Sequence, residues 1–179
     1  MDITICVADE RHHIYAEEIV TTIAAAAQLR GTGIAKRTPE YIREKMDEGK
    51  AIIALDVQTG RFAGFCYIES WQDKQFVATS GLIVAPDFRK RHLARRIKAM
   101  AVTRAHEMFP GAKLFGITTS AAVMKINTDL GYRPVHFTEL PTDEIFWKGC
   151  SSCPNYDILE RTKRSMCLCT GMLHEGGPR

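Results

Sequence analysis

Apolar positions recur along this chain with two periods, and the switches between them predict its elements. Residues 3 to 8 form a short apolar run. Tyr15, Ile19, Ile23 and Ala26 then share a helical face that ends near Gln28–Gly31, before the loop GTGIAKR. Thr38-Pro39 supplies an N-cap and a first-turn proline for a short helix, with Ile42 and Met46 inward and Gly49 as its stop. Three strand-like runs follow: AIIALDV (51–57), FAGFCYIES (62–70) and FVATSGLIV (76–84). Tight turns join them, which predicts an antiparallel meander. Leu93, Ile97, Met100, Ala101 and Ala105 mark a second long helix. The strand after it, KLFGITT (113–119), is expected to lie parallel to 76–84, because a helix separates the two. A short helix from Ser120 to Leu130 stops at Gly131, and YRPVHFTEL reads as a further strand. The order predicts a single-domain α/β fold with a mixed, mainly antiparallel sheet flanked by helices. Residues 1–140 form its body, and 141–179 a cysteine-bearing extension packed on the same domain.

A length of 179 residues suits one core. With 45% hydrophobic and 25% charged residues, the composition argues against disorder or a coiled coil. The start, MDITICVADE, has no basic leader before an apolar run, and stretches such as Ile23–Ala27 are too short to cross a bilayer. The expectation is a cytoplasmic protein with no membrane partner and reduced thiols, among them Cys6 and Cys66 in strand-like runs.

Net charge is only +3, so the segment VAPDFRKRHLARR (84–96) is a local concentration of cations. Cations at a helix start oppose the positive end of its dipole, at a few tenths to ~1 kcal/mol each. Three readings explain such a segment: a nucleic-acid patch, a solvated charge run, or a seat for a bound anion. The modest net charge and the few aromatics beside it disfavour nucleic acid. The spacing Arg89-x₂-His92-x-Ala94, after an apolar strand and Pro86, resembles the pyrophosphate-binding segment of the GNAT superfamily of acyl-CoA-dependent N-acyltransferases. LGYRPV and the element order over residues 3–140 extend the resemblance. In that family the middle position of the segment is glycine, and here it is His92.

The resemblance implies that Arg89, Lys90, Arg91, His92, Leu93, Ala94 and Arg95 seat the diphosphate of acetyl-CoA or another short acyl-CoA. Main-chain groups of Leu82, Ile83 and Val84 would bind the pantetheine arm. It also implies a sheet splayed between its central parallel strands, where Gly81 and Gly116 allow close approach, and a possible homodimer. Many members protonate the leaving thiolate with a tyrosine four residues before GF or GY. That position is Asn127, whose carboxamide can hydrogen-bond a thiolate but cannot usefully donate a proton. No carboxylate lies on the 76–84 strand, so Glu69 is the candidate base, working through water with Thr79 or Ser80. Arg30, Lys36 and Arg37 around the GTGIAKR loop suit a carboxylated acceptor. A weaker resemblance, to stand-alone members that form N-acylglutamate, ranks an acidic amino acid such as glutamate first.

The tail reads Cys150-x₂-Cys153, thirteen residues, then Cys167-x-Cys169. Four thiolates so spaced could close a structural zinc site, with the last two on alternate positions of a strand. Redox pairing and plain buried thiols are the alternatives. The leading expectation is an N-acyltransferase acting on a small amine. Against it stand a non-catalytic acyl-CoA sensor and a basic nucleic-acid-binding protein with a cysteine-ligated metal.

Overall fold

The computed structural model describes residues 2–31 and 36–176. A seven-stranded sheet runs in the order β1-β2-β3-β4-β5-β7-β6. Strand β1 is Ile3–Val7, β2 Ala51–Asp56, β3 Phe62–Trp71, β4 Phe76–Val84, β5 Lys113–Thr118, β6 Arg133–Val135 and β7 Thr170–His174. The predicted meander is present: β2, β3 and β4 pair antiparallel, and β4 pairs parallel with β5. Among the described residues no helix is long and apolar enough to cross a membrane.

The helices form where their caps and stripes place them. In α1 (Ala16–Arg30) Ile19, Ile23 and Ala26 are buried, and Gly31 ends it in the left-handed region at φ 61°. Tyr15 lies just before it, in the 3₁₀ segment Glu10–Tyr15. In α2 (Pro39–Asp47) the Thr38 side chain accepts from the N–H of Tyr41, and Ile42 and Met46 point inward. The long helix α3 spans Leu93–Met108 and buries Leu93, Ile97, Ala101 and Ala105. From Phe88 onward the sequence reads as the opening of this helix, but α3 begins only at Leu93. Pro86–Phe88 make a separate 3₁₀ turn, because Lys90 and His92 hold positive φ and interrupt helical geometry. Helix α4 (Ala121–Asp129) is capped by Ser120.

Two tail expectations change. YRPVHFTEL keeps only Arg133–Val135 as strand, since Phe137–Glu139 coil into a 3₁₀ turn capped by His136. The end of the chain inserts β7 between β5 and β6. Cys167 and Cys169 therefore precede a strand and are not on one. Between these pieces, α5 (Glu144–Lys148) and α6 (Tyr156–Arg161) cover the sheet. Trp147 and Leu159 pack there on Ala78, Phe115 and Leu173. From residues 141–176, Trp147, Leu159, Met172 and Leu173 lie in the core.

Candidate active site

The site begins where two strands part. β4 and β5 pair only from Phe76↔Lys113 to Ala78↔Phe115. Past that rung β4 continues to Val84, while β5 follows β7 through Thr118↔Thr170. The expected splay is there, with Thr79–Val84 along one wall. Beside the opening β4 carries a bulge. The register against β3 shifts between Tyr67↔Ser80 and Phe65↔Ile83, and Gly81 sits at φ 65°. A Cβ on Gly81 would come within 2.7 Å of the Tyr67 ring, so this position requires glycine. Gly116, by contrast, faces open space.

At the end of β4 the chain turns into the basic segment. Phe88, fully buried, anchors the turn, and the Asp87 carboxylate is held by Arg61. Arg89 Nε donates to the Val84 carbonyl at 3.1 Å, tying the segment to the strand. Lys90 and His92 adopt φ 61° and 56°, where a non-glycine residue costs ~1–2 kcal/mol. His92 thus takes up the left-handed conformation that glycine would adopt without strain. It is the N-cap of α3, and its side chain makes no capping bond. The first intrahelical bond runs from the Arg96 N–H to the His92 carbonyl. The N–H groups of Leu93, Ala94 and Arg95 therefore have no partner within the helix. Arg91 and Arg96 line a cleft of about 260 Å³ beside it, with Phe88, Leu93 and the start of β1.

On one side of the sheet, α2 faces β3. Arg37 Nε donates to the Tyr67 hydroxyl at 2.7 Å, and its guanidinium lies 5.3 Å from that ring's centre. Tyr67 meets Tyr41 edge-on, and the Tyr41 hydroxyl donates to Glu69 at 2.8 Å. Lys45 Nζ is 2.9 Å from Glu69 and 2.8 Å from Glu48. Burial pulls the Lys45 ammonium down, but the carboxylates of Glu48 and Glu69 outweigh it and hold it up. Burial and the neighbouring Tyr67 and Glu69 push the Tyr41 phenol far up.

The candidates named from sequence divide accordingly. Glu69 is an ion-paired member of this network. It also lies across the sheet from Thr79, since Glu69 pairs with Ala78 while Thr79 pairs with Ile68. Ser80, opposite Tyr67, shares its face. Arg37 reaches the bulge through Tyr67, whereas Arg30 and Lys36 are exposed and residues 32–35 of the loop lie outside the described residues. Asn127 is 1% exposed on α4. Its Nδ2 donates to Met172 Sδ at 3.5 Å, and among the described residues its buried Oδ1 has no partner.

Cys150, Cys167 and Cys169 pack on the same apolar cluster, and the Asn155 N–H donates to Cys153 Sγ. Burial, with the neighbouring thiols adding to it, pushes Cys150 up to about 11 and Cys169 up to about 12. Among the described residues no three His, Cys, Asp or Glu side chains are arranged to hold a metal ion.

Sequence reasoning missed what lies on the other side of the split. The Tyr132 and Thr79 hydroxyls are 3.3 Å apart. Lys98 Nζ donates to the Thr79 carbonyl at 3.1 Å and lies 5.7 Å from the Tyr132 ring centre. A signal was available: Lys98 stands four residues after Ala94 and three before Ala101, on the apolar stripe of α3.

No family model matches the chain, and no curated protein does. Solved structures do. The N-acetylglutamate synthase of Neisseria gonorrhoeae, complexed with coenzyme A and N-acetyl-glutamate, superposes on 99% of this chain with TM-score 0.69 and 15% identity. The chain spans 36% of that protein's length. A Staphylococcus aureus acetyltransferase of the GNAT family is matched over 97% of this chain and 98% of its own, with TM-score 0.66 and 14% identity. The GNAT-superfamily phosphinothricin acetyltransferase of Sinorhizobium meliloti, in complex with acetyl-CoA, is matched over 99% and 90%, with TM-score 0.64 and 14% identity. At such identities the likeness is one of architecture, and it agrees with the parted strands and the uncapped helix: the chain has the fold of the GNAT acetyltransferases.

Proposed function

We propose that the protein transfers a short acyl group from acyl-CoA to the amine of a small molecule. The observation that carries this reading is a juxtaposition. The split between β4 and β5 opens directly upstream of a helix start with no side-chain cap and a run of cations. N–H groups of Leu93, Ala94 and Arg95 would receive the diphosphate, with Arg89, Lys90 and Arg91 meeting its remaining charge. The pantetheine arm would lie along Leu82, Ile83 and Val84, bringing the thioester to the bulge at Gly81. Main-chain N–H groups freed by the bulge and the split would polarise the thioester carbonyl.

On the acceptor side, Arg37 stacked on Tyr67 supports an amine that also carries a carboxylate. The relative crystallised with N-acetyl-glutamate supports an acidic amino acid, and glutamate is the first substrate to try. Asn127 enters this reading as a buried carboxamide against β7, whose Oδ1 has no partner among the described residues. The test is release of free thiol from acetyl-CoA and succinyl-CoA across a panel of amino acids. An amine-dependent rate supports the reading, with the largest for dicarboxylic amino acids. Binding of acyl-CoA without thiol release for any amine makes the protein a sensor and contradicts it.

A further inference from the structure

Lys98 is 2% exposed and forms no ion pair among the described residues. A buried amine without a carboxylate needs a reason, because desolvation of the ammonium is costly. Its surroundings supply one.

Thr79 is the first residue of β4 beyond the last rung with β5. Opposite it on β3, Ile68 donates its N–H away from β4, to the Lys50 carbonyl at 2.8 Å. The Ile68–Thr79 pair is therefore one whose Thr79 main-chain groups point toward β5. Where the strands part, the Thr79 carbonyl has lost the N–H that a continuing strand would give it. Lys98 Nζ, reaching in from α3, donates in its place. The amine thus stands in the throat of the split, with the Tyr132 ring beside it.

We propose that Lys98 is the proton donor to the departing thiolate, the role that Asn127 cannot fill. The inference rests on the acyltransferase reading. As the acceptor nitrogen bonds to the acyl carbon and the carbon–sulfur bond breaks, a proton passes from Lys98 Nζ to sulfur, giving free thiol. The new amide nitrogen then gives up its surplus proton, which returns the amine to its charged form. Burial lowers the Lys98 ammonium below the ordinary lysine value, which makes it a stronger acid toward the departing thiolate. The other titratable groups at this place are Cys66, pushed up to about 11 by burial, and Tyr132, raised further by burial. Both stay protonated as Lys98 titrates. His174 meets Tyr132 edge-on, with the ring centres 5.4 Å apart.

The test is the pH profile of thiol release from acetyl-CoA, with hydroxylamine as the amine because it is uncharged throughout the alkaline range. The wild type is expected to lose kcat on an alkaline limb. Lys98→Met is expected to bind acetyl-CoA within about threefold of the wild type, lose roughly 100-fold in kcat, and lose the limb. Lys98→Arg, whose guanidinium stays charged, is expected to recover part of kcat with the limb moved out of range, and it serves should the methionine variant fail to fold. A merely structural lysine would lower kcat in the variants and leave the shape of the profile unchanged. That result overturns the proposal while the acyltransferase reading stands. Absence of enzyme-dependent thiol release with every amine overturns both.

Discussion

Two lysines, equally buried, divide this molecule. Lys45, between α2 and β3, is 3% exposed and surrounded by Glu44, Glu48 and Glu69. Lys98, between α3 and β4, is 2% exposed and meets a carbonyl and an aromatic ring. Burial opposes both charges. At Lys45 the protein supplies the compensation itself, so that region is complete without a ligand. At Lys98 no carboxylate among the described residues does so, and the amine meets only neutral groups there. A buried cation without a carboxylate, more than charge itself, marks the site.

Removing each amine should separate the two regions most sharply. Lys45→Met leaves Glu69 half-buried with only Lys50, 4.0 Å away, as a cation, at an expected cost of about 2 kcal/mol in urea melts. Its effect on acyl-CoA affinity should be under threefold. Lys98→Met should change stability by less than about 1 kcal/mol, because removing a desolvated amine offsets the lost hydrogen bond to Thr79. Equal destabilisation by the two variants would break the comparison.

Gly81→Ala comes next. The left-handed φ and the Tyr67 ring at 2.7 Å from the new methyl predict a loss of about 2 kcal/mol, with reduced turnover as the bulge shifts. A variant as stable and active as wild type would remove the bulge from the account.

The two lysines also titrate with opposite signs. Lys98 is lowered in the fold, so below its unfolded value of about 10.4 the unfolded chain binds more protons, and stability rises with pH in that window. Lys45 is raised, so its contribution is complete below about 10.4 and falls only above that. In melts at pH 7.5 and pH 10 the wild type should gain on Lys98→Met, while its lead over Lys45→Met stays constant. The smallest effect is at the helix start. His92→Gly relieves a left-handed φ of 56°, and after glycine's entropic cost it should stabilise by about 0.5 kcal/mol.

Much of this was legible in the sequence because it is encoded locally. Thr38-Pro39 caps α2, the tight turns set the meander, and Arg89-x₂-His92-x-Ala94 lies at the start of α3. What was not legible depends on partners distant in sequence. Glu69 reads as a strand-end carboxylate until Lys45 and Tyr41, on another element, close around it. The short TGMLH segment shows no strong strand period, and only its place between β5 and β6 makes it a strand. Lys98 looks like any helix lysine, although its apolar stripe was visible.

The central claim is that the split and the α3 start receive acyl-CoA. Calorimetric titration with acetyl-CoA, beside an Arg89→Ala/Arg91→Ala variant, tests it most directly. The account predicts micromolar binding by the wild type, weakened at least about 30-fold in the variant, since two charge-assisted contacts are lost. No heat of binding at moderate salt, or equal affinity in the two proteins, would contradict it.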